Sequence, residues 1–246
     1  MSALDIDGLV KRHGDRAALD GVSLSIGAGQ FVALVGPSGS GKTTLLKSIN
    51  RLVEPDEGRI TLEGRDVREV PMAELRHGIG YVIQSIGLFP HMSVAENINI
   101  VPRLMGQGSA DRTTELLELV ALPAEMADRY PRELSGGQAQ RVGFARALAA
   151  NPKLMLMDEP FGALDPVTRD SLGRAYRALH EQLGLTTLMV THDIAEALLL
   201  ADRIVVLIDG RIRADGPPAD LLASQDPDVK AMIDVPRRQA ERLASL

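Results

Sequence analysis

The sequence predicts an α/β fold in which a mainly parallel sheet is buried between helices. Several short runs are largely apolar and lack polar alternation, as expected of strands that are buried on both faces. These runs occupy residues 31–35, 79–83, 154–157, 186–190 and 203–208. Helical patterns separate them, at residues 43–52, 111–121, 138–150, 167–183 and 194–200. Strands that alternate with helices are typical of a doubly wound sheet.

The beginning of the chain has a different pattern. "LDIDGLVKRHG", "ALDGVSLSIGAG" and "EGRITLEGRDV" are typical of short antiparallel strands with glycine turns, which predicts an N-terminal antiparallel β subdomain. Residues 87–150 are mostly helical in pattern and indicate an inserted α-helical subdomain. We therefore expect a single domain over residues 1–246, with a core formed by 1–86 and 151–225. The tail, 226–246, is predicted to be a short helix, a proline break and a second helix, with a frayed terminus as the alternative.

Composition and charge argue against some classes of protein. The net charge of −6 and the pI near 5.4 argue against a nucleic-acid-binding surface, which is usually basic. Without cysteine, neither disulfides nor thiolate metal sites can form. The N-terminus lacks the apolar segment of a signal peptide, and no apolar run reaches 18 residues. We expect neither a cleaved leader nor a transmembrane helix.

The stretch "VGPSGSGKTT", residues 35–44, fits the phosphate-binding pattern G-x-x-x-x-G-K-[ST] between a predicted strand and a predicted helix. Glycines let backbone N–H groups turn inward, and the helix N-terminus adds further free N–H groups. Lys42 is expected to reach the β- and γ-phosphates, the Thr43 hydroxyl to bind Mg²⁺, and Thr44 to touch the α-phosphate. The predicted binding residues are Gly36, Pro37, Ser38, Gly39, Ser40, Gly41, Lys42, Thr43 and Thr44. This pattern is typical of a P-loop NTPase core; the alternative is a flexible Gly/Ser turn.

Polar side chains follow three other predicted strands. Asp158 and Glu159 end "LMLMDEP", Gln84 follows "IGYVI", and His192 follows "TTLMVT". Ligands bind at the carboxyl ends of strands in open α/β sheets, so these groups are candidates for one site. Asp158 is the expected metal ligand, and Glu159 is the candidate base for a water that attacks the γ-phosphate. Gln84 could orient that water or contact Mg²⁺, and His192 could donate to the γ-phosphate; a structural role is the alternative for each.

A second phosphate-binding element is predicted at "ELSGGQAQR", residues 133–141. Ser-Gly-Gly before a helical run gives a helix start with free N–H groups that can bind an anion. The alternative is a plain serine N-cap that follows a glycine turn.

Taken in order, these motifs resemble those of the ATP-binding cassette (ABC) transporter ATPases over almost the whole chain. "GPSGSGKT" is similar to the Walker A loop, Gln84 to the Q-loop, "LSGGQ" (134–138) to the signature and "LMLMDEP" to Walker B. "ALD" (163–165) is similar to the D-loop and His192 to the switch histidine.

The resemblance implies how the two phosphate sites work together. In that family two ATPase subunits pair head to tail, and each ATP lies between Walker A of one subunit and the signature of the other. The implied ligands in trans are Ser135, Gly136, Gly137 and Gln138, and Asp165 would cross the same interface. The implied catalytic residues are Glu159, His192, Gln84 and Lys42, and the metal ligands are Thr43, Gln84 and Asp158.

The chain departs from the family at the adenine site. Family members usually carry an aromatic residue that stacks on the base, and His13 in "VKRHGDRAAL" takes that place. Imidazole is a smaller stacking surface, so we expect weaker adenine affinity.

The segment "YVIQSIGLFPHMSVAENI" (81–98) resembles that of ATPases from quaternary-amine importers for glycine betaine, choline or proline. The resemblance implies integral membrane permease subunits as partners, a solute-binding protein as an indirect partner, and a place on the cytoplasmic face of the cell membrane. Phe89 and Pro90 would be either core residues or contacts with the permease. Many members continue into CBS regulatory domains, which residues 1–246 do not contain, so we expect no gating through such domains.

Alternative functions remain open. The chain could serve an importer for another small solute, or be a soluble ABC ATPase that acts on nucleic acid. The single cassette, the acidic balance and the lack of a heptad run argue against the nucleic-acid class. A further alternative is a P-loop kinase that transfers phosphate to a small molecule. The signature "LSGGQ" and the switch histidine His192 argue against it, because a kinase does not require them.

Overall fold

The computed structural model describes residues 2–85, 87–107 and 110–244, which divide into two compact units. The first unit contains residues 1–67 and 188–246, and the second contains residues 68–187. The strands are β1 Ser2–His13, β2 Arg16–Gly27, β3 Phe31–Val35, β4 Glu57–Leu62, β5 Arg65–Asp66, β6 Ile79–Val82, β7 Leu154–Asp158, β8 Thr187–Val190, β9 Arg203–Ile208 and β10 Arg211–Gly216.

The helices lie between these strands and after them. They are α1 Lys42–Ile49, α2 Met72–His77, α3 Val94–Ile98, α4 Ile100–Leu104, α5 Ala110–Leu119, α6 Gly136–Leu148, α7 Pro166–Leu183, α8 Ile194–Leu200, α9 Pro218–Leu222 and α10 Pro227–Ala244. Two 3₁₀ helices, Ala124–Asp128 and Pro131–Glu133, precede α6. Within the described residues, none of the helices combines the length and apolar character needed to cross a membrane.

The first unit contains an antiparallel sheet in the order β2-β1-β4-β5. Register shifts interrupt the β1–β2 ladder, so the hairpin is irregular. The predicted antiparallel strands are therefore present, although β1 and β2 are each 12 residues long rather than short.

A second set of strands in the first unit contains β3, which runs parallel to β9, while β10 is antiparallel to β9. All five residues of β3 are fully buried, as expected of a strand covered on both faces. Strands β3 and β9 have the bounds that the apolar runs predict. The sequence analysis did not predict β10, whose burial alternates along an edge strand.

The second unit contains the parallel pair β6 and β7 and most of the helices. Its described residues between 87 and 150 form helices and loops without a strand, as the helical pattern predicts. The division at residues 87 and 150 stays a prediction. Phe144 of α6 stacks on Tyr176 of α7, with ring centroids 5.1 Å apart, and lies 5.9 Å from Phe161.

The C-terminal tail corrects one prediction. Pro236 does not break the chain into two helices, because α10 continues through it from Pro227 to Ala244. A proline inside a helix removes one backbone hydrogen bond at a cost of about 3 kcal/mol or more, and many good helix formers follow it here. The helix nevertheless extends over 18 residues with Pro236 inside it.

Replacing Phe144 by alanine tests the aromatic core of the second unit. Phe144 is only 2% exposed, so Phe144→Ala leaves a cavity, and we expect the free energy of unfolding to fall by about 3–5 kcal/mol. Phe89→Ala is the matched control, because Phe89 is 40% exposed and its truncation opens no cavity. Urea unfolding compares the two variants, and equal losses would contradict the packing described here.

Candidate functional site

The phosphate-binding loop joins β3 to α1 in the first unit and is built around glycines. Gly36, Gly39 and Gly41 have φ values of 154°, 78° and 106°. A Cβ atom on Gly36 would lie 2.0 Å from the carbonyl oxygen of Leu207, and one on Gly41 would lie 2.1 Å from that of Ala18. Both contacts are far too short, so the backbone packs closely against β9 and β2 only because these residues lack side chains.

Lys42 is the first residue of α1 and is buried. Its Nζ donates to the carbonyl oxygens of Gly36 and Pro37, at 2.8 and 2.9 Å. The ammonium group is thus held against the backbone of the loop in which the sequence predicts a phosphate site. Thr43 and Thr44 follow in the first turn of the helix and are partly exposed.

Ser40 provides a test of whether the loop suits an anion. Its Oγ is buried without a hydrogen-bond partner, and its N–H group contacts the Pro37 carbonyl only at 3.3 Å. Its own carbonyl accepts from the N–H group of Gly210 at 3.0 Å, which fixes the rear of the loop. A loop with poorly satisfied donors at a helix N-terminus fits a phosphate group.

His192 lies beside this loop. It follows β8 and is exposed, and the next residue, Asp193, caps α8 by accepting from the N–H group of Ala195 at 2.9 Å. A cavity of about 510 Å³ is lined by His192 together with the outer residues of the loop, Gly36, Pro37 and Ser38. The first unit therefore brings the predicted switch histidine to the phosphate loop.

The N-terminal hairpin reaches the same loop. His13 ends β1, is exposed, and pairs with Arg16 across the turn. Arg16 Nη2 donates to the carbonyl oxygen of Gly39 at 3.1 Å. Sequence reasoning missed Arg16, since no motif marks it and its position depends on the register of the hairpin.

The second unit contains the predicted carboxylates. Asp158 ends β7 and is 7% exposed, and Glu159 follows it with a φ of 46°. A non-glycine residue in this left-handed region carries about 1–3 kcal/mol of strain, which is typical of functional sites. Glu159 Oε2 accepts from Gln84 Nε2 at 2.9 Å, so the structure brings Gln84 and Glu159 together.

Tyr81 of β6 lies near Asp158. Burial raises the pKa of Tyr81 to about 12, and the negative charge of Asp158 adds to that rise. The phenol is therefore neutral at physiological pH.

The segment after Gln84 is anchored from α6. Arg146 Nη1 donates to the carbonyl oxygen of Gly87 at 2.6 Å, and burial lowers the pKa of this guanidinium. Gly87 has a φ of 57°, and a Cβ there would lie 2.3 Å from Ile83 Cδ1.

Further along, the buried Asn97 side chain accepts from the N–H group of Phe89 at 2.7 Å and donates to the carbonyl oxygens of Phe89, Met92 and Ser93.

The signature segment begins α6 with Ser135 as its N-cap. Ser135 Oγ accepts from the N–H group of Gln138 at 3.3 Å, and Gln138 Oε1 accepts from that of Ser135 at 2.9 Å. This is a capping box, so the alternative reading of a serine N-cap also holds. Gly136 has room for a side chain, whereas a Cβ on Gly137 would lie 2.8 Å from Thr168 Cγ2.

Asp165 caps α7, whose first residue is Pro166. Its Oδ1 accepts from the N–H groups of Val167 and Thr168, at 3.1 and 3.0 Å. A hydrogen bond from the Thr168 hydroxyl holds the pKa of Asp165 below its usual value, and the hydrogen bonds from the two backbone N–H groups add to this effect. Asp165 itself is exposed.

The predicted metal ligands Thr43 and Asp158 offer oxygen atoms, the donor type that Mg²⁺ takes. In the part of the chain that the structure describes, no three His, Asp or Glu side chains come together as a metal cluster. Mg²⁺ is usually bound by one or two protein oxygens, with phosphates and water completing its shell. The Thr43 hydroxyl and the Asp158 carboxylate are oxygen donors of the required kind.

Comparison with known proteins identifies the class. Residues 19–162 match the ABC transporter family model, and the chain belongs to this family. The chain is 34% identical to the ATP-binding cassette MJ0796, solved as a dimer in a post-hydrolysis state bound to ADP and Pi, with a TM-score of 0.77 over 87% of this chain and 98% of that one. The predicted family and fold class are confirmed.

Two curated relatives are closer in sequence. The choline transport ATP-binding protein OpuBA of Bacillus subtilis (strain 168) is 53% identical over 85% of this chain and 56% of its own length. The glycine betaine uptake system ATP-binding protein YehX of Escherichia coli (strain K12) is 51% identical over 86% of this chain and 70% of its own length. The chain thus spans little more than half of the first of these relatives.

Substitution of Gly41 tests the packing of the loop. Gly41→Ala forces a Cβ against the Ala18 carbonyl as well as a strained φ, and we expect it to lower the free energy of unfolding more than Gly29→Ala does. Gly29 also has a positive φ, of 75°, but open space around it, so its variant isolates the backbone strain of about 1–2 kcal/mol. Urea unfolding measures both, and equal losses would exclude the close contact with β2.

The cap of α7 predicts a pH dependence. The pKa of Asp165 is lower in the folded than in the unfolded chain, so its stabilising contribution is present above the unfolded pKa of 3.8 and is lost as pH falls through the folded value. We expect Asp165→Asn, which can still cap the helix, to differ from wild type less at low pH than at neutral pH. Urea midpoints measured from neutral pH down to acid conditions check this, with Asp165→Ala as the variant that loses the cap at every pH.

Proposed function

We propose that the chain binds and hydrolyses Mg·ATP as the nucleotide-binding subunit of an ABC importer for an osmoprotectant, a quaternary amine such as glycine betaine or choline. The observation that carries the proposal is the loop that ends β3 and begins α1, with His192 beside it. Family membership and the order of the motifs support the same assignment.

ATP binding would use groups that are already in place. The N–H groups of the loop and of the start of α1 would bind the phosphates, and Lys42 would exchange two loop carbonyls for phosphate oxygens. A charge-assisted hydrogen bond to phosphate is stronger than one to a neutral carbonyl, so this exchange is favourable. The predicted stacking of His13 on adenine would add a contact with the base of the nucleotide.

Hydrolysis would depend on residues that the motifs assign to the same nucleotide. Thr43, Asp158 and Gln84 would supply oxygen ligands to Mg²⁺, which offsets the charge of the phosphates. Glu159 would orient or deprotonate the attacking water, and His192 would donate to the γ-phosphate. Gln84 donates to one oxygen of the Glu159 carboxylate in the structure, and an ionised carboxylate can accept further hydrogen bonds, including one from the attacking water.

The signature and the D-loop support a homodimer in which each ATP is completed in trans. Ser135 lies at a helix start and Gly136 is exposed, as a contact with a second subunit requires. MJ0796 is dimeric in its post-hydrolysis state. ATP would close such a dimer because only the closed form supplies both sets of phosphate contacts, and hydrolysis would release it.

Coupling to transport would involve permease subunits, which would hold the chain at the cytoplasmic face of the membrane and work with a solute-binding protein. Phe89 is 40% exposed on a segment that Asn97 and Arg146 hold in place, which favours the contact role over the core role. OpuBA is named for choline transport and YehX for glycine betaine uptake, which supports a quaternary amine as the solute. Uptake of labelled glycine betaine or choline by the complex tests the solute, and transport of neither would favour another small solute.

The Glu159→Gln variant tests the catalytic assignment. We expect ATP hydrolysis to fall at least about 100-fold, because general base catalysis contributes 10²–10⁴, while ATP binding is retained. The closed dimer should then accumulate, and size-exclusion chromatography with and without Mg·ATP would show it.

Glu118→Gln is the matched control, since Glu118 is an exposed glutamate on α5 and should leave both activity and elution unchanged. A Glu159→Gln variant that hydrolyses ATP at the wild-type rate would exclude Glu159 as the base. A variant that binds ATP yet stays monomeric would mean either that the permease is needed to bring two copies together or that the signature is placed wrongly. A substitution of Asp165 or Ser135, assayed in the reconstituted complex, would separate these two explanations.

A further inference from the structure

Arg16 is a charged residue at the phosphate loop to which no motif assigns a role. It begins β2, directly after the hairpin turn that follows His13, and it is exposed. Its Nη2 donates to the carbonyl oxygen of Gly39 at 3.1 Å, and a Cβ on Gly39 would lie 3.4 Å from the same nitrogen. The guanidinium therefore contacts the middle of the loop from the side of the antiparallel sheet.

This contact selects one orientation of the Gly39–Ser40 peptide. In a trans peptide the carbonyl and the following N–H point in opposite directions. With the Gly39 carbonyl turned toward Arg16, the Ser40 N–H is turned the other way, and it meets the Pro37 carbonyl of the same loop at the long distance of 3.3 Å. Gly39 has a φ of 78° and no side chain, so its backbone is little restrained, and the hydrogen bond from Arg16 restrains this peptide from outside the loop.

We propose that Arg16 is a positioning residue for the triphosphate of the bound nucleotide. Its hydrogen bond to Gly39 restrains the peptide that carries the Ser40 N–H, and its charge lies at the middle of the phosphate loop. The inference rests on the proposed ATP-binding function and deepens it, because it separates two tasks of one hairpin. His13 would contact the base, whereas Arg16 would act on the phosphates through the loop.

The two tasks predict different ligand dependence. A residue that acts on the phosphates should matter equally for ATP, for GTP and for inorganic tripolyphosphate, which has no base. A residue that stacks on adenine should matter for ATP and be without effect on tripolyphosphate. Hydrogen bonds to charged groups contribute roughly twice as much as neutral ones, and exposure to solvent reduces the effect of Arg16.

Binding of the three ligands to the full chain, measured by titration calorimetry in the presence of Mg²⁺, tests the proposal. We expect Arg16→Ala to raise the Kd of all three ligands by about tenfold, at the low end for a hydrogen bond to a charged group because Arg16 is exposed. Arg16→Lys should recover part of the affinity, because one donor can still hold the Gly39 carbonyl. In steady-state hydrolysis, the KM of Arg16→Ala should rise about tenfold with kcat unchanged within about twofold.

Arg12→Ala is the matched control. Arg12 is an exposed arginine of the same hairpin, and its hydrogen bond to Asp56 uses the backbone N–H, so truncation removes one charge but no loop contact. Arg16→Gln keeps a donor without the charge and separates the two contributions, even if Arg16→Ala proves unstable in thermal unfolding. His13→Ala should weaken ATP but leave tripolyphosphate unchanged.

Wild-type affinity of Arg16→Ala for all three ligands would overturn the proposal, as would a loss confined to ATP, which would place Arg16 at the base. A drop in kcat with unchanged KM would also contradict it. If the wild-type chain bound none of the ligands, the proposed function itself would fail, and that result is distinct from any effect of the variants.

Discussion

The close packing of the glycine backbone at the end of β3 is the constraint on which the rest of the site depends. Gly36 lies against the carbonyl of Leu207 in β9, and Gly41 lies against that of Ala18 in β2, so any side chain would push the loop away from both. The Gly210 N–H holds the Ser40 carbonyl from behind. Strands β9 and β2, from the two sets of strands in the first unit, thus both shape the loop.

Much of this fold can be predicted because the buried strands have a strong apolar pattern in the sequence. Strand β3 is buried along its whole length, and its apolar sequence predicts both of its ends. The Lys-Thr pair and the glycines also identify the phosphate loop, because few other structures need that composition. Strand β10 was not predicted because it is an edge strand of mixed composition. The helix through Pro236 was not predicted because a proline inside a helix costs about 3 kcal/mol or more, which favours a break.

The contacts between motifs could not be predicted from their spacing. The hydrogen bond from Gln84 to Glu159 joins residues 75 positions apart and requires side-chain geometry, as does that from Arg16 to Gly39. The left-handed backbone of Glu159 is likewise invisible in the sequence. For Ser135 and Asp165 the difficulty is different, because their role rather than their position is ambiguous in the sequence. A helix cap and a contact with a phosphate or a second subunit need the same residue types, so the sequence alone could not separate the two roles.

The central claim is that one chain carries two incomplete halves of a nucleotide site, each completed by a second copy. Mixing two inactive variants tests it most directly: Lys42→Ala, which disables the phosphate loop, and Ser135→Arg, which disables the signature. A heterodimer of the two has one site that combines an intact loop with an intact signature, so the account predicts that ATP hydrolysis returns in the mixture while each variant alone stays inactive. If the mixture is as inactive as its components, although both variants fold and the wild type hydrolyses ATP under the same conditions, the shared site is contradicted.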